Sequence, residues 1–466
     1  MTFQLSEKTF KVPVDLFIEN RQRLLESIKT KVPSNSAILL QGGVEKNRYN
    51  TDAADLPFRQ ESYFFWTFGV NESEFYGIID VATGKTTLLA PRLDPSYAIW
   101  DGKINDEKYF KEKYAVDEVV FNDTEQTIAQ KLKALAVKQV YLLRAENTDS
   151  DNVLVEPKFA GSQDFQLNTE LLYLEMAELR VIKSEKEINS LFRHTSYYHG
   201  GCRHLAYTCI AASGCNGSVL HYGHANAPND KFIKDGDMCL FDMGPEYNCY
   251  ASDITTSFPS NGKFTEKQKI VYNAVLDANL AVLKAAKPGV RWTDMHILSE
   301  KVILEHLKKA GLVVGDIDKA LEARLGAVFM PHGLGHLIGL DVHDCGGYMG
   351  DATPRSKLPG LKSLRTTRTL KERMAITIEP GCYFIDFLLD EALADPVRSA
   401  FLVKAEIDKY RGSGGVRIED DVIIRATGNE NLSDLPRTVE EIENFMASGE
   451  WTEKDIESRV SEFLSK

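Results

Sequence analysis

The sequence predicts an α+β protein in three consecutive parts. They are a smaller α/β amino-terminal domain over residues 1–160, a helical connection over 161–183, and a larger domain over 184–466 carrying a curved antiparallel sheet. Three observations lead there. A chain of 466 residues exceeds what one hydrophobic core ordinarily serves. Its first third alternates helical spacing with short apolar runs. After residue 184, capped helices are separated by short β-branched strands that bear Asp, His and Glu.

In the first part, Leu16 to Ile28 has helical spacing and leads into the apolar run Ala37–Leu40. Tyr76–Ile79 and Thr87–Ala90 flank the turn pair Thr83-Gly84, which predicts a hairpin. Val140–Leu143 reads as a further buried strand, and Phe58 to Phe68 is dense in aromatic residues without any catalytic cluster. Pro157, Gly161 and polar residues mark a boundary between Glu156 and Asn168. Ser184 with Glu187 makes a capping box for a helix running toward Tyr207, and Thr265 with Gln268 makes another. The second helix ends at Lys287-Pro288-Gly289, and a third runs from about Thr293 to Gly311.

Composition narrows the functional classes. With 55 Lys and Arg against 68 Asp and Glu, the net charge is −13 and no dense basic run stands out, which argues against a nucleic-acid partner. No stretch approaches the ~18 apolar residues that span a bilayer, and the first residues lack the pattern of a signal peptide, so a cytoplasmic protein without a membrane partner is expected. The seven cysteines are odd in number and contain no CxxC pair, fitting neither a disulfide framework nor a structural zinc site.

Four segments gather the residues that carry chemistry. In Leu240-Phe-Asp242 through Asp253-Ile-Thr-Thr-Ser-Phe258, Asp242 ends an apolar run, Gly244-Pro245 makes a turn, and Asp253 precedes β-branched residues. That is hairpin spacing. Two carboxylates facing each other there repel unless a cation lies between them. A turn Asp and an exposed strand Asp explain this segment equally well. In Pro331-His332-Gly-Leu-Gly-His336, followed by Asp341-Val-His343-Asp344, the two glycines argue against a helical zinc motif. A Gly-rich turn presenting one His as ligand and others as proton donors fits better. Glu379 follows Ala375–Ile378, and Glu419 follows Val416-Arg417-Ile418, so each carboxylate is expected at or within a buried strand. Taken singly, each Glu is explained by a salt bridge, with Arg417 the natural partner of Glu419. Taken jointly, four carboxylates and one imidazole make a mostly oxygen ligand set, enough for two ions of Mn²⁺ character.

The order Asp242, Asp253, His336, Glu379, Glu419 resembles the five-ligand signature of the pita-bread metallopeptidases, a creatinase/aminopeptidase-like fold family. The resemblance runs through nearly the whole chain. It is strongest to the prolidase (Xaa-Pro dipeptidase) branch in Arg59-Gln-Glu-Ser-Tyr-Phe-Phe-Trp, Phe329-Met-Pro-His-Gly-Leu-Gly-His, and Tyr383-Phe-Ile-Asp through Leu393-Ala-Asp-Pro.

That likeness implies hydrolysis of Xaa-Pro dipeptides by a hydroxide bridging two divalent ions per subunit. Asp242 would chelate one ion, His336 with Glu379 the other, and Asp253 and Glu419 would bridge both. It also implies Glu379 as base and His343 as the contact for the oxyanion or the proton relay. His221, in His221-Tyr-Gly-His224, would stand near the product proline. Arg365 would hold the substrate carboxylate, a fixed cation that measures length, and Arg417 would line the site and orient Glu419. A homodimer is implied as well, with contacts through the amino-terminal domain and Trp100 on a loop reaching the neighbouring site. The competing readings are aminopeptidase P, which acts on longer Xaa-Pro peptides, and a non-catalytic binding protein or metal-free creatinase on the same fold. Retention of all five ligand positions weighs against the last two.

Overall fold

The computed structural model describes residues 2–3, 12–46, 58–94, 104–184, 187, 202, 204–223 and 232–448. They divide into two compact units, Met1–Arg180 and Val181–Lys466.

In the first unit, helix α1 (Asp15–Lys29) precedes strand β1 (Ser36–Gln41) and helix α2 (Ser62–Phe68). Strands β2 (Tyr76–Asp80) and β3 (Thr86–Ala90) form the expected hairpin. Helix α3 (Glu107–Tyr114), strand β4 (Glu118–Phe121), helix α4 (Thr127–Ala134), strand β5 (Gln139–Leu142), strand β6 (Gln166–Asn168) and helix α5 (Leu171–Val181) follow. The six strands make one mixed sheet, ordered β6-β5-β1-β2-β3-β4, with the hairpin antiparallel inside it. The aromatic run becomes α2, all seven residues of which are buried. Glu61 caps it by accepting from the N–H groups of Tyr63 and Phe64, and Gly69 ends it at φ 68°.

The second unit is built on short antiparallel ladders. Strands β7 (Ile210–Ser213), β8 (Met238–Met243) and β11 (Ile254–Pro259) form one sheet, with β8 central. Between β8 and β11 a small hairpin, β9 (Pro245–Tyr247) and β10 (Tyr250–Ala251), is inserted. Its two-residue loop is Asn248-Cys249, both at positive φ (47° and 62°), the geometry that matches the twist of a tight hairpin. The turn expected at Gly244-Pro245 is therefore displaced: Pro245 opens a strand instead. Of the helix expected to run toward Tyr207 little more than its cap is described, and Tyr207 itself is not helical. Ser184 and Glu187 make the reciprocal cap, but His204–Leu205 is a strand paired with β9, and most of 185–203 lies outside the described residues.

Helices α6 (Glu266–Ala285) and α7 (Trp292–Lys309) pack together over the strands. Thr265 and Gln268 close a complete capping box on α6. The buried residues of α7 (Trp292, Met295, His296, Ser299, Glu300, Ile303, Leu304, Leu307) recur every three to four positions, one apolar stripe with a few polar members. Strands β12 (Ala375–Ile378), β13 (Gly381–Tyr383), β14 (Gly415–Arg417), β15 (Asp420–Arg425) and β16 (Gly428–Asn431) complete the sheets, and helix α8 (Val439–Ser448) follows. No disulfide joins the seven cysteines, all of them among the described residues. Among those residues no helix is long and apolar enough to cross a membrane.

Candidate metal centre

Strand β12 pairs with β15, and β13 with β14, in one register interrupted for two residues on each side. Ile378 lies opposite Asp420, and Gly381 opposite Arg417. Glu379 and Glu419 therefore face each other across the break, just outside the strands rather than within them. Pro380, with no N–H to give a ladder, sits in the gap on one side. On the other sheet Asp242 pairs with Thr255, and Asp253 lies two residues before Thr255 on the same face. The Glu419 N–H donates to Thr255 O at 3.1 Å, which brings the two sheets together at the four carboxylates.

His336 reaches this point from a loop without helix, as the glycines imply. The backbone N–H of His336 donates to Thr377 Oγ1 (3.1 Å), and its carbonyl accepts from the Thr377 N–H (2.9 Å). A Cβ on Gly335 would stand 2.0 Å from Thr377 O, so only glycine allows that approach. His336 Nε2 lies 3.4 Å from Asp253 Oδ2 and 3.6 Å from Glu379 Oε1. One ligand atom each from Asp253, His336 and Glu419 falls within 4.8 Å of the others, all buried.

The partner of Arg417 differs from the expected one. Its guanidinium donates to Asp242 Oδ2 (2.7 Å), to the Tyr383 hydroxyl (2.9 Å) and, through Nε, to Thr255 Oγ1 (3.2 Å). Thr255 Oγ1 in turn donates to Glu419 Oε2 at 2.7 Å, so Arg417 reaches Glu419 through a hydroxyl rather than as an ion pair. Asp242 pairs across the sheet junction because its strand presents it beside Thr255.

The electrostatics are those of too many buried carboxylates for one arginine. Burial pushes Asp242 up to about 6, with Arg417 opposing it, and pushes Glu379 up to about 7, with His336 opposing it. Burial, then Asp253, Glu379 and Asp242, hold Glu419 well above the usual carboxylate range. Burial also works against charge on Asp253 and His336, yet their mutual contact lowers the acid and raises the imidazole. A proton shared in this cluster and a divalent cation are competing answers to the same excess of negative charge. The residues fit metal: mostly hard oxygen donors, one imidazole, no thiolate.

These residues line a cavity of about 340 Å³ with His221, His343 and Arg365, so the sequence-derived candidates meet in one place. The His343 ring stands edge-on to His336, centroids 4.5 Å apart, and burial pushes its pKa down to about 2, with His336 and Arg365 adding. His224 and Trp100 lie outside the described residues.

One lining residue escaped the sequence reading, and a second has more specific contacts than were expected of it. Tyr207 places its hydroxyl 2.5 Å from Asp242 Oδ1 and 2.6 Å from Asp253 Oδ1. A tyrosine in a segment expected to be helical gave no signal for this. His332, expected only as one of several proton donors, bonds the Tyr383 hydroxyl through Nε2 (2.9 Å) and lies 3.8 Å from Glu379 Oε2. Burial, then Arg417, depress it to about 3, which leaves a neutral ring.

Two carboxylates at a break in the strand ladders, two more presented by the neighbouring sheet, and a buried imidazole among them are the donor set of a divalent-metal enzyme. Comparison with known proteins gives the class a name. Residues 166–426 match the model of metallopeptidase family M24, and 17–141 match that of the aminopeptidase P N-terminal domain. The Xaa-Pro dipeptidase of Mus musculus is 51% identical, covering 96% of each chain. A probable Xaa-Pro aminopeptidase of Verticillium alfalfae is 34% identical over 92% of this chain and 96% of its own. The zinc-substituted aminopeptidase P of E. coli, solved with product, superposes with a TM-score of 0.73 at 28% identity, covering 95% of this chain and all of the other. This chain belongs to metallopeptidase family M24, with the pita-bread catalytic domain that its sequence led us to expect.

Proposed function

We propose that this chain hydrolyses Xaa-Pro dipeptides, releasing the first amino acid and proline. The observation that carries this is the joint placement of Asp242, Asp253, His336, Glu379 and Glu419 around one small cavity that also holds Arg365. Its volume is at the small end of ligand sites, which run from about 300 Å³ to 1,000 Å³. The 51% likeness to an Xaa-Pro dipeptidase, against 34% to a probable Xaa-Pro aminopeptidase, favours the two-residue substrate.

In this reading Asp242, Asp253, His336, Glu379 and Glu419 would hold the divalent ions, with Asp253 and Glu419 placed to serve both. When bound, the ions supply an activated water and polarise the scissile carbonyl. Glu379 takes the proton of the attacking water on its carboxylate. The same group then delivers the proton to the proline nitrogen as it departs, so that it leaves as a neutral amine rather than an anion. His343, kept neutral, donates to the developing oxyanion from one ring nitrogen. His221 lies on the cavity wall where it meets the proline ring, and Arg365 holds the terminal carboxylate. Arg417 and Tyr207 fix Asp242 and, through Tyr207, Asp253.

Mn²⁺ is the metal we assign, on the predominance of carboxylate donors. The accompanying layout is an amino-terminal α/β domain over 1–160, a helical connection over 161–183 and a catalytic domain over 184–466, in a cytoplasmic homodimer joined through the amino-terminal domains. Light scattering at assay concentration tests the dimer; an active monomer contradicts it. The substrate is tested with Mn²⁺-loaded protein on Gly-Pro and Gly-Pro-Gly. Cleavage of the dipeptide alone supports the reading, and preference for the tripeptide supports an aminopeptidase instead.

A further inference from the structure

Arg437 lies on the segment that leads into α8, outside the cavity, and its side chain is only 14% exposed. Its guanidinium reaches inward to three acceptors. Nη1 donates to Thr255 O at 2.9 Å, and Nη2 donates to Glu419 O at 2.6 Å and to Asp420 Oδ1 at 2.5 Å. Thr255 O is also the acceptor for the Glu419 N–H. One planar group therefore ties the backbone that carries Glu419 to the strand that begins beside Asp253. The arginine is itself held in place. Tyr272 on α6 donates to Arg437 O at 2.7 Å, and Asn279, also on α6, donates to the second oxygen of Asp420 at 2.9 Å.

We infer that Arg437 is a positioning residue for the metal centre: it sets the separation of Asp253 and Glu419 from behind. The inference rests on the proposal that these two carboxylates bridge the ions. Neither carboxylate is touched by the guanidinium, so its influence runs through backbone carbonyls. A planar fork can span the carbonyls of two separate chain segments at once; an ammonium, a compact point charge on a flexible stem, cannot hold both in that geometry. Neighbours that orient ligands in this way are worth about 10- to 100-fold in metal affinity. Nothing in the arrangement touches the substrate side of the cavity.

The test is a Co²⁺ titration of stripped protein, followed by visible absorption of the bound ion and by thermal melting without metal. Wild type, R437A, R437K, E419Q and I442A are compared. Ile442 is buried in the core beneath α8, so I442A loosens that helix without touching the guanidinium contacts. R437A should weaken Co²⁺ by about 10- to 100-fold and alter its spectrum, and R437K should recover only part of the loss. I442A should lower the melting temperature while leaving affinity unchanged. Should R437A fail to fold, R437K carries the comparison. If E419Q weakens Co²⁺ but both Arg437 variants bind as wild type does, the brace is wrong and the ligand reading stands. A loss of affinity in I442A equal to that in R437A also overturns the brace. If E419Q and wild type titrate alike, the ligand reading fails, and the brace fails with it.

Discussion

Arg365 and Glu379 carry the sharpest consequences of the account. If Arg365 holds the proline carboxylate, Arg365→Ala loses a charge-assisted contact worth on the order of 1.5–3 kcal/mol, roughly ten- to a hundredfold in kcat/KM. An amidated dipeptide has no carboxylate to lose, so the ratio of Gly-Pro to Gly-Pro-amide should fall in the variant; an unchanged ratio assigns length selection to another group. Glu379 gives a pH signature in the metal-free protein. Its folded pKa is raised from 4.5 to about 7, so the favourable contribution is complete below the unfolded value and is lost as pH rises through the folded one. Metal-free protein should therefore melt lower at about pH 8 than at about pH 5, and saturating Mn²⁺ should restore stability most at the higher pH. Equal melting shifts on adding Mn²⁺ at both values contradict this. At this scale the site was legible in the sequence wherever a residue type is costly to bury. Asp242, Asp253, Glu379 and Glu419 are each ambiguous singly and stand out only as a set, because four carboxylates at strands and tight turns need a cation. Tyr207 does not, since a buried phenol is ordinary and only its two short contacts reveal its part.

Among the elements, those read well from sequence were the ones with local signals. The Thr265/Gln268 box fixes the start of α6, and Thr83-Gly84 lies in the β2–β3 hairpin. What could not be read depends on partners distant in the chain. The Gly244-Pro245 turn gave way to an inserted hairpin because Asn248-Cys249 takes the positive-φ loop, a conformation not obvious from a cysteine. The pairing of Arg417 with Asp242 rather than Glu419 follows from bringing the two sheets together, which no spacing within 414–424 encodes. Gly335 is the element-scale prediction. Gly335→Ala forces a Cβ against Thr377 O, so it should separate the His336 loop from β12 and cost about 1–3 kcal/mol. Thermal melting and Co²⁺ absorption should both change; a wild-type melt with a wild-type spectrum contradicts the packing described here.

Across the whole molecule, a net charge of −13 accompanies a centre that gathers carboxylates where a cation can neutralise them. Asp253 and Glu419 are asked to serve both ions. Asp253→Asn and Glu419→Gln should each disturb both metals and lower turnover by orders of magnitude, and either variant retaining two ions and normal turnover contradicts the bridging assignment. Most direct of all is the addition of Mn²⁺ to thoroughly chelated protein, with kcat/KM for Gly-Pro followed against bound metal by elemental analysis. The account predicts negligible hydrolysis without metal, rising with occupancy and complete at two ions per subunit. Full activity in protein shown to be metal-free would contradict it.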